Sequence, residues 1–252
     1  MDSMSNAAVG IDIGGTGIKG AVVDVTTGEL LSDRIKIATP HGGEPDAIVS
    51  TVHKLLKKLG HLGKKEPVGV CFPAIIIKGK TLSAANVSKK WIGLEAERLF
   101  EKALKRDIHF VNDADAAGYA ENRYGAAKSA TGLTIMTTLG TGIGTALIYN
   151  GVLIPNAELG HIEIDGVDYE TQAAYSAKER DELTWQQWAG RLQKYYSHLE
   201  AYFSPDLFVV GGGVSKEYED FLPLLELTTP IVPATLRNNA GILGAAALAS
   251  GA

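Results

Sequence analysis

Val9-Gly-Ile-Asp-Ile-Gly-Gly-Thr-Gly-Ile-Lys-Gly-Ala-Val-Val-Asp-Val25 is the stretch on which the reading of this chain turns. Val9 to Ile13 is a short apolar run broken by Asp12, and Ala21 to Val25 is β-branched, with Gly14, Gly15, Thr16 and Gly17 between them. The pattern predicts strand, glycine turn, strand. Gly15 to Gly20 also satisfies the spacing GxGxxG, and Asp33 stands near the distance expected of a ribose ligand. That spacing serves a dinucleotide only when a helix opens directly after it, because the pyrophosphate rests on the helix N-terminus. A second strand follows instead, which argues against an NAD enzyme, and no GxxxxGK[ST] string offers a P-loop. What remains is a hairpin whose backbone N–H groups, bare of side chains, can face phosphate oxygens, with the Thr16 hydroxyl as a further donor. Asp12 would repel an anion directly and makes sense there if Mg²⁺ intervenes through water. A tight hairpin that needs glycine for positive φ is the plainer alternative.

Working outward, the same pattern recurs. Thr134 to Thr138 runs into Leu139-Gly-Thr-Gly-Ile-Gly144 and then Ala146 to Tyr149, so that Gly15-Thr16-Gly17-Ile18 matches Gly140-Thr141-Gly142-Ile143 at an offset of 125 residues. Asn150-Gly151 signals a further hairpin. Thr27-Gly28 and Glu29 to Ile37 continue the first half as an antiparallel meander. Pro45 to Leu59 and Leu94 to Leu104 predict helices, and Val68 to Phe72 and Ile108 to Val111 predict strands. Leu183 to Phe203 reads as a long helix, Leu207 to Val210 as a strand ending in Gly211-Gly212-Gly213, and Ile242 to Ala249 as a packed terminal helix. The expectation is an α/β protein of two similar lobes, 1–112 and 113–252, with the 242–249 helix a candidate to pack back onto the first. No Pro-, Ser- or charge-rich linker separates them, so a cleft between the lobes is the expected site.

Composition narrows the partners. Of 252 residues, 45% are hydrophobic and 21% charged, and 29 acidic against 24 basic residues give a net charge of −5. There is no global field to draw nucleic acid or an anionic membrane, so any anion site must be local. Met1 to Ala8 is too short and polar for an export signal, and Gly241 to Ala249 is too short to span a bilayer. The single cysteine, Cys71, cannot form an intrachain disulfide, which agrees with a cytoplasmic protein; its simplest role is a buried small residue in a strand.

Asn112-Asp113 directly follows a predicted strand, the place where α/β sheets bind ligands. Phosphoryl transfer to a hydroxyl needs a carboxylate to accept the proton and benefits from an amide that fixes neighbouring hydroxyls. A helix N-cap accounts for the same pair on local grounds. Glu158-Leu-Gly-His161 places a carboxylate and an imidazole in a turn after Pro155-Asn156, and both can grip vicinal hydroxyls. Asn86 could add an amide, whereas nearby Trp91 is more simply core. Lys89 and Lys90 read as a solvated face, or as steering groups for a polyanion.

Asp12-Ile-Gly-Gly-Thr16, Asn112-Asp113, Leu139-Gly-Thr-Gly-Ile-Gly144, Glu158-Leu-Gly-His161 and Gly211-Gly-Gly-Val-Ser215 together resemble the ROK sugar kinases over nearly the whole chain. The resemblance implies the two-lobed actin-like ATPase fold, a duplicated ribonuclease H-like architecture. It implies Asp113 as the base toward the sugar 6-hydroxyl, Asn112, Asp113, Glu158, His161 and Glu170 around the sugar, where Asn86 could add its amide, and Gly211, Gly212 and Gly213 near a nucleotide base. Asp12, Gly14, Gly15, Thr16, Gly17, Lys19, Gly140, Thr141 and Gly142 fall to the phosphates and Mg²⁺. Many members follow the Glu-x-Gly-His motif with a cysteine cluster for structural zinc; 162–182 has no cysteine, so no zinc is expected and His161 is left for the sugar or its neighbours. Where the family often has lysine after the threonine, this chain has Gly17 and defers the lysine to Lys19. That loop, Asn238-Asn-Ala-Gly-Ile-Leu-Gly244 and Pro205-Asp-Leu are similar to polyphosphate glucokinases. The resemblance therefore implies a glucokinase using polyphosphate, ATP or both, acting on glucose or a close hexose such as mannose, as a homodimer. Its rivals are an ATP-only kinase for another hexose or an N-acetyl amino sugar, and a sugar-sensing regulator, whose DNA-binding segment is not expected in the eight residues before the first strand.

Overall fold

The computed structural model of the chain describes residues 6–61 and 64–251. Met1–Ser5, part of the stretch read for an export signal, lie outside the described residues. Two compact units are formed, one from the chain up to Ala120 together with the segment from Asn239 onward, the other from Glu121–Asn238.

In the first unit, β1 (Ala7–Ile13) and β2 (Gly17–Asp24) form the expected hairpin, with Ile13 opposite Ile18. β3 (Ile35–Ala38) pairs antiparallel with β2, and is shorter than the strand expected from Glu29 onward. The reason is local: the Asp24 carboxylate accepts the N–H groups of Thr26 and Thr27, and the Ser32 hydroxyl takes the Val22 N–H that a strand carbonyl would have taken. Helix α1 (Pro45–Lys58) has proline in its first turn, Asp46 at its positive end and Lys57 and Lys58 at its negative end, and buries Ile48, Val52, Leu55 and Leu56. β4 (Val68–Phe72) lies parallel to β1; a small hairpin, β5 (Ile76–Ile77) and β6 (Lys80–Thr81), then precedes α2 (Ala96–Leu104). β7 (His109–Asn112) closes the sheet in the order β3-β2-β1-β4-β7, and α3 (Asp113–Tyr124) follows at once. Trp91 is fully buried, 4.5 Å from Phe72 and stacked on Phe100, and donates its indole N–H to Gly43 O; it is core, as its plainer reading held.

The last helix, Ala240–Ser250, lies on this same sheet. Close approach explains its glycines: a Cβ at Gly10 would stand 1.9 Å from Ile242 O, one at Gly69 1.8 Å from Ala245 O, and one at Gly244 1.8 Å from Ala116 O. A helix apolar on nearly every side is stable only when buried this way.

The second unit repeats the topology. β8 (Leu133–Leu139), β9 (Ile143–Tyr149) and β10 (Val152–Ile154) form an antiparallel meander, with Asn150 and Gly151 at φ 49° and 82°, the values a tight hairpin requires. A small hairpin, β11 (Glu163–Ile164) and β12 (Val167–Asp168), leads to α4 (Glu170–Ala173), α5 (Tyr175–Arg180) and α6 (Trp185–Phe203), the last opened by a reciprocal Thr184–Gln187 cap. β13 (Leu207–Gly211) and β14 (Ile231–Pro233) complete the order β10-β9-β8-β13-β14, the first unit's order position for position. Trp188, Tyr195, Tyr196, Phe208 and Phe221 fill its core. Among the described residues no helix is long and apolar enough to cross a membrane.

Candidate active site

In the first unit the parallel strands β1, β4 and β7 end side by side. Asp12 is in register with Cys71, Cys71 with Val111 and Phe72 with Asn112, so Asp12, Cys71, Asn112 and Asp113 share one sheet edge. Lys19 stands opposite Asp12 across the hairpin, and its Nζ lies 3.0 Å from Asp12 Oδ2, with both side chains mostly buried. Cys71 Sγ donates to Asp12 Oδ1 at 3.8 Å and to Gly241 O at 3.5 Å. Burial, reinforced by the Asp12 and Asp113 carboxylates, pushes its thiol well above the ordinary value, so it stays a neutral donor. Both Asp12 oxygens thus have partners from the chain, which suits a hydrated Mg²⁺ touched through water; among the described residues no group of three or more His, Cys, Asp or Glu could hold a metal directly.

Asn112 caps α3: its Oδ1 accepts the N–H groups of Ala114 and Asp115 at 2.8 and 3.0 Å, and its Nδ2 donates to Ala74 O. Asp113 Oδ1 shares the Ala114 N–H at 2.9 Å, so the carboxylate sits half-buried at the helix start, where the dipole favours negative charge. Positive φ does not explain the hairpin glycines, since neither Gly14, Gly15 nor Gly17 adopts it. Space does at Gly15, where a Cβ would lie 2.9 Å from Asn86 Cβ; one at Gly17 would meet only the movable Lys36 Cε at 2.6 Å. Asn86 therefore backs the first loop, and Lys36 fills the room beside Gly17. Thr39, which no motif marks, donates its hydroxyl to Gly14 O.

In the second unit the loop Gly140-Thr141-Gly142 is held from behind. Glu170 Oε2 accepts the Ile143 N–H at 2.7 Å, and a Cβ at Gly142 would lie 2.4 Å from that oxygen. Ser176 donates its hydroxyl to Thr141 O and its N–H to Gly140 O. Gly212, at φ 85°, lies against Leu139 so closely that any Cβ would strike its backbone, which brings Gly211–Gly213 beside the same loop. The Glu158–His161 turn is a 3₁₀ turn seated on this hairpin too, for a Cβ at Gly160 would lie 2.1 Å from Ile143 O. Burial raises Glu158 above the ordinary carboxylate range. His161 meets a neighbour: its Nδ1 lies 2.9 Å from Asp168 Oδ2, and this hydrogen bond raises its pKa above the ordinary imidazole value. Asp168, two residues before Glu170, carried no motif that would have marked it.

Both edges thus carry bare glycine backbone with polar side chains beside it. Residues 8–173 match the ROK family. The chain belongs to the ROK family. With it goes the actin-like ATPase fold of duplicated ribonuclease H-like units. This ROK protein is 46% identical over 238 residues to polyphosphate glucokinase of Mycobacterium tuberculosis H37Rv, covering 94% of this chain and 89% of that one. It superposes on the inorganic polyphosphate/ATP-glucomannokinase of Arthrobacter sp. strain KM with a TM-score of 0.89 at 49% identity, over 97% and 98% of the two chains. A ROK glucokinase from Streptomyces griseus, solved with glucose and AMPPNP, matches with a TM-score of 0.83 at 25% identity, over 98% and 100%.

Proposed function

We propose that this ROK protein is a glucokinase that moves the terminal phosphoryl group of inorganic polyphosphate or ATP to the 6-hydroxyl of glucose, with mannose as a further acceptor. The observation that carries the reading is identity near one half to enzymes of that activity over almost the full chain. Asp113 is the base: its carboxylate takes the hydroxyl proton while the oxygen attacks phosphorus, and the bond from phosphorus to the rest of the donor breaks, leaving glucose 6-phosphate and a donor shorter by one phosphate. Asn112 spends its oxygen on the helix cap and offers its remaining N–H to a sugar hydroxyl. Glu158 and His161 grip further hydroxyls, and Glu170 reaches the sugar from the residue that also braces the second loop. The loops 14–17 and 140–142 face phosphate oxygens with backbone N–H groups, with Lys19 as a cation beside the first; Gly211–Gly213 leave room for a nucleotide base. Mg²⁺, held through water by Asp12, would neutralise charge on the transferring phosphoryl group. Residues 1–112 and 113–252 are the duplicated lobes of this scheme, with the final helix packed back on the first, and the enzyme works in the cytoplasm as a homodimer.

The test is glucose phosphorylation with polyphosphate and with ATP, each with and without Mg²⁺. Turnover with both donors, lost on chelation, is expected. Turnover with ATP alone removes polyphosphate from the reading, and none with either donor removes the kinase.

A further inference from the structure

The ionic and hydrogen-bonded contacts around His161 run further than a sugar contact requires. Asp168 Oδ2 meets His161 Nδ1 at 2.9 Å, and Asp168 Oδ1 accepts the Glu170 N–H at 3.2 Å. Glu170 Oε2 in turn accepts the Ile143 N–H, which directly follows the loop 140–142. The turn that carries His161 is clamped as well: Leu159 N–H donates to the Thr145 hydroxyl at 3.0 Å, that hydroxyl donates to Ala157 O, and Tyr195 donates to Leu159 O. A side chain at the tip of an exposed turn thus reaches the second glycine loop through two carboxylates and two backbone N–H groups.

Chemistry fixes the direction of the first link. A carboxylate only accepts hydrogen bonds, so Nδ1 must carry the proton, and Nε2 is left as the ring atom that addresses a ligand. In the neutral ring Nε2 accepts from a hydroxyl; in the charged ring it donates to one. Without Asp168 the ring could take either tautomer and rotate about its χ angles, and a hydroxyl ligand would have to order it on binding. The carboxylates facing His161 are Asp168 from β12, Glu170 from α4 and Glu158 from its own turn, and all three favour its charged form.

We propose that Asp168 is a positioning residue that fixes the tautomer and orientation of His161 for a hexose hydroxyl and, through Glu170, ties that orientation to the second phosphate loop. The inference rests on the glucokinase reading for its ligand, but its first half concerns the imidazole alone. Residues that orient a ligating group from behind typically contribute about 10-fold or more to the affinity of the site they serve. Here the contribution comes as preorganisation, since Asp168 itself needs no contact with the sugar.

The experiment uses the full chain with Asp168→Asn and Asp168→Ala. Asp168→Asn is near-isosteric: its carbonyl can still accept the Glu170 N–H, and its amide then donates to Nδ1, forcing the opposite tautomer. Nitrogen chemical shifts of the His161 ring should place the proton on Nδ1 in the wild type and on Nε2 in Asp168→Asn, with the titration moved to lower pH. Glucose binding by calorimetry, without donor, should weaken about 10-fold in Asp168→Asn, and its pH dependence should move with the imidazole. The apparent KM for polyphosphate should rise in Asp168→Ala, which releases Glu170, more than in Asp168→Asn. Thermal melting separates these effects from loss of fold. If the wild type binds no glucose, the glucokinase reading fails while the ring spectra still decide the positioning role. If it binds glucose, and Asp168→Asn matches it in tautomer, affinity and pH profile, the inference is overturned.

Discussion

The two glycine hairpins occupy the same place in two sheets of the same strand order, yet only one is charged. At the first, Asp12 stands opposite Lys19; at the second, the corresponding cross-strand pair is Thr138 and Gly144. The strand that ends in Asn112-Asp113 in the first unit is β7, and its counterpart β14 ends in Pro233-Ala234. The supports differ as well, the first loop being packed by Asn86 and Lys36, the second by Glu170 and Ser176. Repetition of a backbone platform therefore carries no chemistry with it. The first unit has carboxylates at its strand ends, whereas the other has nearly neutral backbone there and keeps its carboxylates, Glu158, Asp168 and Glu170, on the segments behind; in the proposed scheme proton transfer falls to the first.

The largest expected effect removes what sets the first edge apart. Asp113→Ala should lower kcat by about 10² to 10⁴ with melting unchanged, because general-base help is worth that factor; near-normal turnover in a steady-state assay would make the two edges chemically equivalent. A second difference is the helix Ala240–Ser250, which the first sheet receives on glycine. Gly69→Val should cost about 3 kcal/mol in a denaturant titration, since its side chain would enter the Ala245 carbonyl. A third test stays within the second loop. A side chain at Gly140 meets open space and one at Gly142 meets Glu170, so Gly142→Ala should destabilise by about 1–2 kcal/mol and raise the donor KM, while Gly140→Ala leaves stability within about 0.5 kcal/mol. Equal costs would mean that the contact with Glu170 does not distinguish the two positions.

The smallest effect is in pH. His161 is raised above its ordinary value chiefly by Asp168, so it adds stability that is fully present below that ordinary value and is lost as pH rises through the folded-state value. With 53% of the side chain exposed, solvent screens the pair, and the loss should be about a few tenths of a kcal/mol. Melting curves of wild type and Asp168→Asn across neutral pH should converge on the alkaline side.

Much of this was legible in the chain. The repeat at 15–18 and 140–143 announced the duplicated topology, because strand–glycine–strand patterning is local and periodic. The Asn112-Asp113 pair was legible only as two open readings, and the structure shows that Asn112 is the helix cap, with Asp113 Oδ1 sharing one of the capped N–H groups. Asp168, Ser176, Thr39 and Lys36 were not legible at all, because each acts on a residue far along the chain or across a turn, and no spacing marks it. The glycine loops were legible as bare backbone; that Gly15 leaves room for Asn86 and Gly142 for Glu170 was not, since only folding brings those neighbours close.

By itself, then, the sequence determined the elements, the doubled order of strands, the family and the residue types able to move a phosphoryl group, since all of these follow from patterns within a few residues. Only the tertiary structure decided how the charges are shared. That Asp12 is held between Lys19 and Cys71, that Glu170 braces a loop, and that His161 leans on Asp168 depend on distances between separate strands and turns, which the order of residues does not contain.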